Sequence, residues 1–499
     1  MRSRVFARTV AVAAITALGG LGLAGLAPSA SAVMPPKAFD FNGDGYRDLA
    51  IGSPYGKVGT KTSAGFVSVI YGSSSGLNTA KKKVFTQDSA GVPGAAEAYD
   101  HFGNSLASAD FDGDGYGDLA IGAPDEDTGG GSNAGLVTIL WGTPSGLTTF
   151  AQTIEAFEPT SGARWGENLT TGDVEHDGTP EIFATMPGIS GFDFFHFSST
   201  GAAAAGTGGA RAAVRSGGAV TLPRGGGDVS AQSLEDVNNS FLATGDVTGD
   251  GHDDVVYAFY DADWSVAAER RGFYVLPGNA EGGLDGGSPI FTEAGSVAVG
   301  DFEADGFEDV VVGQPAVTKS GGQVTVFKGS ATGVTTAAKT SIHQDTAGVP
   351  DVAASGDGLG SSLAVGDVNK DGLADLAVGG PGDNVNGVVD SGRAWVLFGS
   401  AAGLTGTGAQ TVSQSTTNVP GSSEKSDRFG YQVTLLDHTR NGAADLVVGA
   451  PGENGRDGAI TLFKGGTAGI LPVSGAQQLG TGTFGVTGKA AELGLRLGR

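Results

Sequence analysis

Cysteine is absent from the 499 residues. No disulfide staples the fold, and thiol nucleophiles and thiolate metal sites are excluded. A chain of this length buries enough surface to hold together without cross-links. Basic residues are scarce: 29 Lys and Arg stand against 54 Asp and Glu, a formal charge of −25, which makes nucleic acid and anionic lipid poor partners. The six His show no paired ligand spacing, so a zinc site built on histidine is not expected. No apolar run beyond the first 32 residues is long enough to cross a bilayer.

Those first residues have their own pattern. Arg2, Arg4 and Arg8 precede an apolar stretch from Val10 to Leu26, and Ala30-Ser31-Ala32 supplies a small-residue cleavage site. This predicts a secretory signal peptide over 1–32, cleaved after Ala32 rather than retained as an anchor, and a mature chain that is secreted. No Arg pair marks the twin-arginine route. Glycine is what the chain has in excess, 89 residues in all. The glycines punctuate short apolar runs at repeated offsets, which predicts an all-β protein with many tight turns rather than disorder. Only the Gly/Ala-rich stretch 200–228 reads as a flexible insertion.

A nine-residue motif recurs seven times. Its clearest copy is Asp110-Phe111-Asp112-Gly113-Asp114-Gly115-Tyr116-Gly117-Asp118, and the others begin at Asp40, Asp173, Asp246, Asp301, Asp367 and Asp437, 55 to 73 residues apart. Side chains at positions 1, 3, 5 and 9 carry oxygen, position 6 is always Gly, and position 7 offers its main-chain carbonyl. Alternate oxygens aimed at one centre suit a hard cation that takes six to eight of them, and up to seven Ca²⁺ are expected.

The predicted ligand sets are Asp40, Asn42, Asp44, Tyr46 and Asp48 in the first loop, and Asp110, Asp112, Asp114, Tyr116 and Asp118 in the second. The third has Asp173, Glu175, Asp177, Thr179 and Glu181, and the fourth Asp246, Thr248, Asp250, His252 and Asp254. Asp301, Glu303, Asp305, Phe307 and Asp309 form the fifth, and Asp367, Asn369, Asp371, Leu373 and Asp375 the sixth. The seventh, Asp437, Thr439, Asn441, Ala443 and Asp445, has only two carboxylates and ranks weakest. Pro180 and Glu181 at positions 8 and 9 set the third loop apart. Altogether 23 of the 54 acidic residues occupy ligand positions, so the acidity is largely an inventory for metal. Position 12 is Ile51, Ile121, Ala184, Tyr257, Val312, Val378 and Val448. An EF-hand needs Glu there, so that loop is excluded and a following strand is predicted.

The long period sets the architecture. In the second unit the runs Asn104–Ala109, Leu119–Gly122, Leu136–Trp141 and Gln152–Phe157 read as four antiparallel strands. Continuous apolar second strands such as Val310-Val311-Val312 and Leu446-Val447-Val448 suit sheets covered on both faces. Seven stacked sheets predict a seven-bladed β-propeller over 33–499 with a calcium-binding hairpin loop in each blade. A linear solenoid is the alternative, but polar capping repeats are not found. The first loop lacks a good preceding strand. Phe484-Gly485-Val486 mimics Phe102-Gly103-Asn104, so 484–499 is expected to complete the first blade and lock the ring.

Phe102-Gly103 with Gly122-Ala123-Pro124, and Phe429-Gly430 with Gly449-Ala450-Pro451, resemble the FG-GAP repeats of integrin α-subunits. Degenerate copies include Trp165-Gly166, Leu359-Gly360, Gly52-Ser53-Pro54, Gly313-Gln314-Pro315 and Gly379-Gly380-Pro381; the fourth unit departs most, with Tyr257-Ala258-Phe259. The resemblance implies a seven-bladed propeller, calcium in the Asp-rich loops on one face and ligands approaching the other. No integrin-type adhesion domain is inserted, and no Arg-Gly-Asp tripeptide occurs. The adhesion role therefore carries over only loosely.

An active site is less evident. Gly72-Ser73-Ser74-Ser75-Gly76 matches an esterase elbow, but the same turn recurs without the central Ser at Gly142–Gly146, Gly329–Gly333 and Gly399–Gly403. His176, His252 and His438 fall in or beside the acidic loops and are expected at the surface. Partner recognition is expected on the second-to-third and blade-to-blade loops, with Tyr55, Tyr99, Asp125 and Trp165 as candidates. Two function classes remain open. One is a monomeric, secreted binding module for an extracellular protein or glycan. The other is an extracellular hydrolase acting on lipid or polysaccharide at the propeller channel.

Overall fold

The computed structural model describes residues 37–187, 191–198, 213–221, 242–260, 271–317, 321–471, 473–486 and 490–498. The predicted signal peptide and its cleavage site lie outside them. The described strands form seven four-stranded antiparallel sheets. Blade 2 runs Ser105–Ala109, Asp118–Ala123, Leu136–Leu140 and Ala151–Ile154, so its last strand ends earlier than Phe157. The second strands are buried along their whole length in blades 1, 2, 3, 5, 6 and 7, as their unbroken apolar runs require. In blade 3 the outermost strand is Ala213–Thr221, paired with Gly191–Ser198. The described part of the glycine-rich stretch is therefore a blade strand; the rest of it lies outside the described residues.

Among the described residues the apolar core is divided into seven clusters, one between each pair of neighbouring blades. A linear stack of seven sheets has six interfaces. The seventh cluster joins Leu49, Ile51 and Ile70 of blade 1 to Val447, Ile460 and Leu462 of blade 7, so the sheets close into a ring. Arg496–Leu497 pairs with Leu49–Ser53 as the innermost strand of blade 1.

The register of this closure differs from the sequence expectation by nine residues. Phe484 belongs to a short helix, Thr481–Phe484. Leu493-Gly494 is the pair that stands where Phe-Gly stands elsewhere: Leu493 bridges Gly458 as Phe429 bridges Gly392 and Trp165 bridges Gly135. The motif's glycines explain themselves at these joints. A Cβ on Gly52, Gly122, Gly313, Gly379 or Gly449 would lie about 2 Å from the carbonyl oxygen of Gly103, Gly166, Gly360, Gly430 or Gly494 respectively. Backbone meets backbone there, and neither side has a side chain to move aside. Gly122→Ala, facing both the Gly166 oxygen and Ser105 Oγ, is expected to destabilise the fold by about 3 kcal/mol, read as an earlier urea midpoint at unchanged m-value.

Candidate metal centres

In blades 2 to 7 the acidic loop is the tight turn from the first strand to the second; in blade 1 it leads into the second strand, the first coming from the far end of the chain, and all seven loops are built alike. The position 1 carboxylate accepts the N–H of the position 6 glycine at 2.8–3.1 Å in every copy. The position 5 oxygen accepts the N–H of position 7 at 2.7–3.1 Å in every copy. These bonds curl the loop so that the odd-numbered side chains share one side. Position 2 falls on the other side and is buried in all seven: Phe41, Phe111, Val174, Val247, Phe302, Val368 and His438. This corrects the surface placement of His438. It fills a core position, its Nδ1 lies 2.7 Å from the Arg47 carbonyl oxygen, and burial pushes its pKa down to about 4. His252 is half-buried and His176 is exposed.

Position 9 has a second task that the motif did not reveal. One oxygen of Asp48, Asp118, Asp254, Asp309, Asp375 and Asp445 accepts the N–H of the glycine opening the third-to-fourth turn: Gly72, Gly142, Gly278, Gly329, Gly399 and Gly465, at 2.7–3.1 Å. The carboxylate bolts the metal loop to its neighbour turn. The Gly-Ser-Ser-Ser-Gly sequence is such a turn, closed by Ser73 Oγ donating to the Gly76 carbonyl at 2.7 Å; Thr143 does the same toward Gly146.

The loops also hold one another. The position 8 N–H donates to the position 1 carbonyl of the preceding blade in six pairs: Arg47 to Asp437, Gly117 to Asp40, Asp253 to Asp173, Glu308 to Asp246, Ala374 to Asp301 and Ala444 to Asp367, at 2.8–3.2 Å. The seventh partner would be residue 180, which is proline and has no N–H. The belt therefore has one break, between blades 2 and 3.

The residues fit a hard cation. Asp110, Asp112 and Asp118 bring carboxylate oxygens within 4.8 Å of one another. Asp40 Oδ1, Thr248 Oγ1, Glu303 Oε2 and Asp309 Oδ2 are buried without a hydrogen-bond partner, and all four belong to predicted ligands. Burial, the largest cause in each case, raises Asp118 well above the carboxylate range, Asp254 and Asp375 to about 7 and Asp309 to about 8. The fifth loop carries an internal counter-ion, Lys328 bonded to Glu303, so counting carboxylates overstates its demand for metal. Without metal, a folded-state pKa raised above the unfolded value gives stability at low pH that is lost as pH rises through the raised value. In chelator, the melting temperature is therefore expected to fall between pH 5 and pH 8, and in excess calcium this fall should vanish.

On the opposite face, three of the four candidate ligand residues converge. Tyr55 and Tyr99, 44% and 61% exposed, stand edge-on to His101 with centroids 5.2 and 6.5 Å away. His101 Nδ1 is 2.7 Å from Asp125 Oδ2, and Arg164 pairs with Asp125 at 3.0 Å and with Glu167 at 2.8 Å. The loops of blades 1 and 2 and the linkers following each supply the patch; His101 and Arg164 were missed because no local pattern marks them. Trp165 is corrected to a core residue, fully buried 5.4 Å from Phe195. The channel encloses a cavity of about 550 Å³ lined by first-strand residues such as Leu169, Leu242, Val297 and Leu363, with Asp253 and Glu308 among the lining residues from the metal loops. Asp253 accepts the Asp173 N–H at 2.8 Å.

An FG-GAP repeat model matches residues 38–70, 102–140, 294–327 and 359–397. Integrin alpha-PS2 of Drosophila melanogaster is 32% identical over 183 residues, 35% of this chain and 12% of its own. Phosphatidylinositol-glycan-specific phospholipase D of Rattus norvegicus is 32% identical over 120 residues, 23% of this chain and 14% of its own. Integrin alpha-4 of Xenopus laevis is 30% identical over 128 residues, 26% of this chain and 11% of its own. The matched stretches thus span only 11–14% of those relatives. The chain therefore carries FG-GAP repeats, four of them matched by the family model, in a closed ring of seven sheets, and over part of its length it is similar to integrin α-subunits.

Proposed function

We propose that this protein is a secreted, calcium-stabilised binding module whose ligand, an extracellular protein or glycan, docks on the face opposite the metal loops. The observation that carries this reading is the patch of Tyr55, Tyr99, His101, Asp125 and Arg164. Exposed aromatic rings beside an imidazole held by a carboxylate suit sugar rings or apolar peptide side chains edged by polar groups. Calcium in the loops supplies positive charge that neutralises the convergent carboxylates. Asp40, Asp110, Asp173 and their counterparts hold the turns, and the position 9 acids tie them to the neighbouring turns. The ligand loops are thereby mounted on a rigid ring. Similarity to integrin α-subunits supports the extracellular setting, and among the described residues no helix is long and apolar enough to cross a membrane.

The test is an array of glycans and extracellular proteins probed with and without chelator, repeated with Tyr99→Ala. Saturable binding that chelator abolishes and Tyr99→Ala weakens at least tenfold, with its melting temperature unchanged, supports the reading. Binding indifferent to Tyr55 and Tyr99 overturns it. A hydrolase remains the second reading, favoured by the phospholipase D similarity and the His101–Asp125 pair. Turnover of a phosphodiester or glycoside, lost in His101→Gln, would establish it.

A further inference from the structure

Outside the seven loops, a second oxygen-rich constellation recurs three times, always at a joint between blades and always on the ligand side of the ring. It consists of Gln87, Asp100 and Glu126 between blades 1 and 2. Between blades 5 and 6 it is Gln344, Asp357 and Asp383, and between blades 6 and 7 Gln414, Asp427 and Glu453. The Gln and the last acid are 39 residues apart in each case. All three Gln are buried, as are the three Asp of the linkers, Asp383 and Glu453; Glu126 is half-buried. The Gln Nε2 donates to the last acid in each set, and Gln344 also donates to Asp357 at 3.0 Å. The linker Asp accepts the N–H three residues before it, from Glu97, Ala354 or Glu424.

This leaves the same atom over each time. Gln87 Oε1, Gln344 Oε1 and Gln414 Oε1 are buried with no hydrogen-bond partner. A buried amide oxygen without a donor costs about 1–3 kcal/mol, and three such atoms at equivalent places require a common explanation. Gln344 bonds both carboxylates of its joint, and at the other two joints the acid bonded by the Gln lies close to the linker Asp; among the described residues no Lys or Arg pairs with Asp100, Glu126, Asp427 or Glu453. The charged groups felt by those at the 6–7 joint include Glu424, which is also negative. At the 1–2 joint they are Glu97, Asp127 and His101, and His101 is already held by Asp125. At the 5–6 joint Arg393 bridges Asp383 and Asp351, so that joint also keeps two uncompensated negative charges. There the oxygens crowd together: the Ala354 carbonyl oxygen, Gln344 Oε1 and Asp357 Oδ2 lie 2.5, 2.7 and 3.0 Å from the place a Cβ on Gly321 would take, which measures their closeness to one another beside the Gly321 backbone.

We propose that each of these three joints is a second-class site for a hard divalent cation of the calcium type, liganded by the Gln Oε1 and the paired carboxylates. All ligands are oxygen, and with its carboxylates ionised each joint would carry a formal charge of −2, which a divalent ion balances. The sites stand independently of the ligand-face reading, although Asp100 lies between Tyr99 and His101 and a cation there would brace that patch.

The experiment is anomalous diffraction from crystals of the mature chain soaked in Tb³⁺, together with calcium stoichiometry by equilibrium dialysis on wild type and Asp427→Asn. The expected result is anomalous density at the three joints in addition to the acidic loops, and one calcium fewer bound by Asp427→Asn. Density at the loops but at none of the joints, with carboxylate oxygens in short contact and stoichiometry unchanged in Asp427→Asn, overturns the proposal. It would show that each pair shares a proton instead. Should Asp427→Asn fail to fold, the wild-type map decides alone, and its loop peaks test the loop assignment separately.

Discussion

Exhaustive removal of calcium is expected to lower the thermal midpoint of residues 33–499 by roughly 10 °C or more. Two carboxylates about 4 Å apart repel by about 4 kcal/mol at an effective dielectric near 20, and the second loop gathers three within 4.8 Å. A single site at a hundredfold excess over its dissociation constant adds about 2.7 kcal/mol, so several filled loops together are comparable with the whole stability of an ordinary domain. The effect reaches beyond the loops because the position 9 acids and the belt of position 8 N–H groups couple each loop to the next blade. Asp118→Asn is expected to remove most of one site's share and Asp445→Asn much less, since the seventh loop has only two carboxylates. Calorimetry with and without EDTA, paired with metal analysis by mass spectrometry, checks this. An unchanged melting curve in metal-free protein would overturn the metal assignment.

Deletion of 490–499 is expected to cost about as much. Leu493, Leu495 and Leu497 are all buried, and burying such a side chain contributes about 1.5–3 kcal/mol. The segment also supplies the pairing of Arg496–Leu497 with blade 1, an Arg496 Nε bond to the Asn104 carbonyl at 2.8 Å and the Glu492–Arg456 pair. Without it the strand Leu49–Ser53 becomes an unpaired inner edge, an invitation to aggregation. The expected outcome is a midpoint lower by roughly 10 °C, broadened unfolding and a tendency to self-associate on a sizing column. The register has its own test. A Cβ on Gly494 would meet the Ala459 oxygen at 2.6 Å and the Gly449 Cα at 2.9 Å, whereas one on Gly485 meets nothing within 4 Å. Both glycines have positive φ, so Gly485→Ala carries only the backbone strain of about 1 kcal/mol. Gly494→Ala adds the clash and should be clearly worse; equal effects would overturn the assigned joint.

Much of the fold was written in the residue pattern because it is repetitive. Seven copies of one loop, each followed by an apolar strand, set the number of blades and the place of the acidic loops. Asp at position 1 and Gly at position 6 bond within six residues of each other, so their geometry is local and readable. The Phe-Gly and Gly-Ala-Pro pairs likewise marked a joint before its contacts were known.

What the chain order could not convey is contact between residues far apart in it. Phe484-Gly485 matched the motif better than Leu493-Gly494, and only the approach to Gly449 selects the latter. His438 looks polar and exposed among acids until the loop's alternation places it in the core, and Trp165 is claimed by Phe195. The patch of Tyr55, His101, Asp125 and Arg164 and the buried Gln–Asp–acid joints draw on loops from different blades, so no single window of sequence contains them. Local periodicity therefore determined the blade and its acidic loop. Ring closure determined which loops meet, because that depends on how seven twisted sheets pack side by side.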